Sequence, residues 1–76
     1  MCLAIPGEII KLNKDTAKVS IMGVESEINI QIIEEPKVGD YVLIHAGCAI
    51  KKIDLEYFEE LTEMLELLSE VEGNYE

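Results

Sequence analysis

Two hydrophobic periods divide the chain. From Gly7 to about Ile53 the apolar residues come in short β-branched runs with turn-forming residues between them, the pattern of strands in a small antiparallel barrel or sandwich. The runs are EIIKL (8–12), AKVSIM (17–22), SEINIQI (26–32), YVLIHA (41–46) and CAIKKI (48–53). Alternation is cleanest in the third. There Ile28, Ile30 and Ile32 share one face and Glu27, Asn29 and Gln31 the other, which predicts a half-buried strand. The fourth run is nearly all apolar and is expected at the centre of the sheet. Asn13 and Asp15 mark a turn whose side chains bond their own backbone. Gly23 and Gly47 tolerate positive φ and suit tight bends. The stretch 34–40 pairs Pro36, which has no N–H for a ladder, with Gly39 and reads as a loop.

After Asp54 the period lengthens. Leu55, Phe58, Leu61, Leu65 and Leu68 recur at helical spacing, with Asp54 in front as an N-cap and Gly73 and Asn74 behind, which predicts a helix over about 55–72. Tyr57, Met64, Leu67 and Val71 make the apolar stripe wider than one small barrel needs, so part of it is either surplus or a face for a partner protein. Five short strands bury one face only by closing on themselves, and closure also removes exposed edges. The expected fold is mainly β: a small five-stranded OB-like barrel (about 1–53) with one C-terminal α-helix, in a single domain spanning 1–76.

Composition narrows the function. A domain of 76 residues buries only about 60% of its unfolded surface, so a large enclosed active site is not expected. Apolar residues are 49% of the chain and aromatic ones 5%, so the core is built mainly from Ile, Val and Leu. Six lysines and no arginine stand against sixteen acidic residues, a net charge of -10 that repels phosphate backbones. With one Phe and three Tyr there is also little to stack bases on, and nucleic acid is not an expected partner. No stretch approaches the roughly 18 apolar residues of a membrane span. Pro6, Glu8 and Lys11 interrupt what would be the apolar core of a signal peptide. Cys2 and Cys48 are too few for a disulfide framework, so a reducing, cytoplasmic location is expected.

The residues hardest to explain by packing are at the start, MCLAIPGE. Removal of the initiator methionine before a small second residue leaves Cys2 with a free α-amino group, and a nearby cation favours the thiolate that binds metals and attacks electrophiles. Pro6 fixes its own φ and holds Ile5 extended, so residues 2–6 form a stiff segment. The bland alternative is a small hydrophobe in a first strand. His45, the sole histidine, alternates with Tyr41 and Leu43; it is either a strand-face residue or a second ligand or proton acceptor beside Cys2. Cys48 is expected in the barrel core, with a ligand role as the alternative. Two S and N donors make half a soft-metal site, and a partner must supply the rest. The acidic residues of the helix read as a solvated face. Three functions fit these residues: an incomplete metal carrier, a plain binding module, and a thiol enzyme with Cys2 as nucleophile and His45 as base.

The sequence resembles the HypC/HupF/HybG accessory proteins of nickel-iron hydrogenase maturation. The resemblance rests on MCLAIPGEI at the start, on VGDYVLIHAGCAI (38–50), and on the length with its acidic terminal helix, and so covers nearly the whole chain. It implies an OB-like barrel, no catalytic turnover, and a chaperone role. Members of the family bind the iron-sulfur protein HypD, on which an iron carrying cyanide and carbon monoxide ligands is assembled, and then accompany that iron to the precursor of the hydrogenase large subunit. Cys2 matches the cysteine implicated in holding iron and contacting both partners, and His45 matches the histidine of the HAG motif. The segment Cys2, Leu3, Ala4, Ile5 and Pro6, together with His45, is the implied partner contact. Many members have an aromatic residue where this chain has Cys48, so the resemblance implies no ligand role for Cys48 and leaves the ligand count open.

Overall fold

The structure is a computed structural model that describes the backbone of residues 4–74 and the side chains up to Leu68. Five strands, β1 (Ile5–Leu12), β2 (Thr16–Ile21), β3 (Val24–Asn29), β4 (Tyr41–His45) and β5 (Cys48–Ile53), precede one helix, α1 (Leu55–Asn74). The strands close into a barrel in the order β1-β2-β3-β5-β4. All neighbours are antiparallel except β3 and β5, which meet in parallel at Asn29 and Cys48. This is the five-stranded OB-like barrel with a C-terminal helix that the two periods predict. Its interior holds Ile9, Ala17, Val19, Ile28, Ile30, Ile33, Val42, Ile44 and Ala49.

Both tight hairpins turn on two residues in the left-handed region. Met22 (φ 51°) and Gly23 (φ 87°) join β2 to β3, and Ala46 (φ 53°) and Gly47 (φ 81°) join β4 to β5. A two-residue turn with both φ values positive matches the twist of the strands it connects. Each turn takes one residue from a predicted strand, so 17–22 and 41–46 both end one position early, at Ile21 and His45.

The larger difference is in the third strand, expected to run to Ile32. It stops at Asn29, whose Oδ1 accepts from the Gln31 amide and whose Nδ2 donates to Gln31 Oε1, both at 2.9 Å. This local bonding offers the backbone an alternative to the ladder. The chain then turns, with Ile33 N–H donating to Ile30 O at 3.1 Å. Ile33, not Ile32, takes the next inward place, and Ile32 is left 65% exposed.

The helix starts as its cap predicts. Asp54 Oδ1 accepts from the Tyr57 amide at 2.8 Å, and Asp54 O from Phe58 N at 2.9 Å. Phe58 lies on Tyr41 with ring centroids 4.3 Å apart. Pairing with Ile44 and Val42, which point inward, turns Ile5 and Gly7 inward as well, so Pro6 and Leu43 point out of the barrel. Both are nonetheless buried, because α1 lies against β1 and β4. The helix face that is partly covered is Phe58, Leu61, Thr62 and Leu65; Leu55 and Leu68, expected in that stripe, are largely exposed.

Candidate functional site

β4 ends at His45, and the turn geometry fixes what faces it. In a two-residue hairpin the flanking residues pair directly, and here His45 pairs with Cys48. Ile44 and Ala49, the next pair, are buried in the core. Side chains alternate along a strand, so His45 and Cys48 both point out of the barrel, on one face. Each is half-buried. Cys48 therefore does not occupy the core position expected of it. Ala49 fills that place, and the bulge at Ile50, the unpaired residue between Ala49 and Lys51, resets the strand beyond it. On its other edge Cys48 meets β3 at Asn29, whose N–H donates to Gly47 O at 3.0 Å. The pair is thus held from two sides by backbone hydrogen bonds.

The other flank of β4 is β1. Ile5, the first residue of β1, pairs with Ile44, the neighbour of His45, and Pro6 pairs with Leu43. Ala4 is half-buried immediately before the strand. The chain thus enters the barrel beside the end of β4 that carries His45. Cys2 and Leu3 lie outside the described residues. Of the predicted site residues, Ala4, Ile5, Pro6 and His45 are brought to one end of the β1–β4 pair. Pro6 is fully buried there.

Among the described residues no three His, Cys, Asp or Glu side chains gather as a metal site. What the barrel end presents is an edge of one imidazole and one thiol, paired across the β4–β5 hairpin. Such an edge does not enclose a metal by itself, since closed sites take four ligands. The partnership of His45 with Cys48 is missed when Ala46 is kept in the strand; with Ala46 and Gly47 forming a two-residue turn, the residues that flank them face each other.

A family model described as the HupF/HypC family matches residues 1–65. The chain belongs to the HupF/HypC family. Among curated relatives, the hydrogenase maturation factor HypC of Synechocystis sp. is 44% identical over 66 residues, covering 79% of this chain and 87% of the relative. HypC of Rhizobium leguminosarum bv. viciae is 45% identical over 60 residues, 78% of this chain and 80% of the relative. HypC of Cupriavidus necator is 41% identical over 73 residues, 95% and 78% respectively. The family match begins at the first residue, so it takes in the MCLAIP segment as well as the HAG hairpin. No helix among the described residues is long and apolar enough to cross a membrane.

Proposed function

We propose that this HupF/HypC protein is a hydrogenase maturation chaperone without turnover of its own. With a HypD-like iron-sulfur partner it holds an iron carrying cyanide and carbon monoxide ligands and delivers it to the precursor of the nickel-iron hydrogenase large subunit. The observation that carries this reading is family membership across residues 1–65 with curated relatives named as hydrogenase maturation factors. The geometry supports it. β1 enters the barrel next to His45, and the three residue steps between Cys2 and Ile5 span at most roughly 10 Å of extended chain, so the Cys2 thiol stays within reach of that barrel end.

In this reading Cys2 and His45 are the metal donors. Cys2, Leu3, Ala4 and Ile5 with His45 make the partner contact, and the buried Pro6 fixes the path of the segment. Cyanide and carbon monoxide stabilise low-spin ferrous iron, and a thiolate adds a soft donor to it. A site with few protein ligands suits a carrier, because donors are exchanged one at a time with the acceptor, whereas a closed four-ligand cage retains its metal. A protein that works through a free thiol belongs in a reducing compartment, the cytoplasm.

The Cys2→Ala variant tests the proposal. It is expected to keep the circular dichroism spectrum of the folded barrel, to lose the complex with the HypD-like partner, and to stop hydrogenase maturation. Anaerobic co-purification of the unsubstituted chain with that partner is expected to show iron and the infrared bands of bound cyanide and carbon monoxide. Unimpaired maturation by Cys2→Ala overturns the role given to the thiol.

A further inference from the structure

The β4–β5 hairpin carries a thiol that the proposed site does not use. Cys48 stands directly across from His45, and directly opposed residues on neighbouring antiparallel strands have Cβ atoms about 4.5–5.5 Å apart. That separation lets one metal ion sit between the two side chains at ordinary distances of about 2.3 Å to sulfur and 2.0–2.1 Å to nitrogen. The pair is also preorganised. The Ala46–Gly47 turn fixes its closed end, and the Asn29 to Gly47 hydrogen bond ties it to β3. Packing does not account for the thiol, because Ala49 and not Cys48 fills the barrel interior at this level. Cys48 is a free thiol, and no side-chain hydrogen bond among the described residues engages the His45 ring.

We propose that Cys48 is a metal donor of this protein, acting with His45 as a preformed sulfur–nitrogen edge for a soft or borderline divalent metal. This rests on the proposed function for its cargo. Ferrous iron then takes His45 and Cys48 together from the β4–β5 hairpin. Binding converts the Cys48 thiol to thiolate and releases its proton to solvent, so no oxidant or reductant is consumed. The hairpin supplies both of these donors from paired positions on neighbouring strands.

Cobalt(II), a spectroscopic stand-in for ferrous iron, tests the assignment in the reduced full-length protein under anaerobic conditions. Thiolate bound to cobalt gives a sulfur-to-metal charge-transfer band in the near ultraviolet. The unsubstituted chain and Cys2→Ser are both expected to show the band, since Cys48 remains in each. Cys48→Ser, which keeps the side-chain volume, is expected to lower the band and to weaken binding by at least the roughly 10-fold that loss of even an outer-shell contact costs. The double variant Cys2→Ser with Cys48→Ser is expected to show no band. A circular dichroism spectrum matching that of the unsubstituted chain confirms that each variant is folded, and Cys48→Ala repeats the test with a smaller side chain. Unchanged band intensity and affinity in both Cys48 variants overturn the proposal, as does absence of the band in Cys2→Ser. The role given to Cys2 stands or falls separately: if Cys2→Ser still forms the complex with the HypD-like partner and supports maturation, that role fails whatever Cys48 does.

Discussion

Gly7 lies in the middle of β1 with its α-carbon turned into the barrel, and no positive φ requires glycine there. Space does. A Cβ built on Gly7 would sit 2.7 Å from Ile44 Cδ1 and 3.3 Å from Ile21 Cγ1. Ile44 is 3% exposed and has little room to retreat. Gly7→Ala is therefore expected to cost about 1–3 kcal/mol, the usual penalty for overpacking a close-packed interior. The colliding atom is the terminal methyl that valine lacks. Ile44→Val alone should cost about 0.5–1.5 kcal/mol, and the double variant should be more stable than the sum of the two single losses. Urea denaturation of the four proteins measures the coupling. Additive losses would mean that Gly7 is not held small by Ile44. The residue bears on the site as well, because the side chain that fills the space over Gly7 belongs to Ile44, the neighbour of His45 in β4.

At the scale of elements, the helix is attached at its start. The Asp54 cap and the Phe58–Tyr41 contact fix the first turn, while Met64, Leu67 and Leu68 are each more than half exposed. Asp54→Ala leaves the Tyr57 amide without its acceptor and is expected to lower stability by about 1 kcal/mol. Asp54→Asn should recover most of that, since a neutral oxygen still accepts; thermal unfolding followed at 222 nm decides, and equal losses in both variants would assign the effect to charge instead of capping. The helix was legible because a 3.6-residue period and a capping aspartate agree. The barrel was legible because five β-branched runs need closure. The end of β3 was not, since SEINIQI continues its alternation past the point where Asn29 folds back onto Gln31. A side chain bonding two residues on leaves the hydrophobic pattern unchanged and still ends the strand. Cys48 was misplaced for a related reason. CAIKKI gives no alternation to follow, and its inward residue is decided by the turn before it and the bulge after it.

The whole molecule is governed by its charge. The chain measures 41 × 23 × 22 Å, and a 20-residue helix alone is about 30 Å long, longer than the barrel beside it is wide. Glu56, Glu59, Glu60, Glu63 and Glu66 line this helix, all exposed, and α1 contains no lysine to offset them. Pairs three or four residues apart, such as 56/60, 59/63, 60/63 and 63/66, repel by about 0.2–0.5 kcal/mol each at low salt. The ion pairs Lys18–Glu25 (3.9 Å) and Lys52–Asp40 (3.2 Å) pull the other way but are partly exposed and worth about 0–1 kcal/mol apiece. Repulsion wins, and salt should stabilise the fold. Neighbouring carboxylates on a helix are about 5–6 Å apart. The Debye length falls from about 30 Å at 0.01 M to about 8 Å at 0.15 M and 3 Å at 1 M, so relief continues well above physiological ionic strength. A gain on the order of 1 kcal/mol across that range raises the unfolding temperature by about 4–8 °C. Glu63→Lys separates this from general salt effects. It removes repulsion with Glu59, Glu60 and Glu66 together and sets a lysine four residues after Glu59, the favourable order. That variant should be more stable than the unsubstituted chain at 0.01 M sodium chloride and should respond less to added salt. An equal salt response in the two proteins would place the repulsion outside the helix.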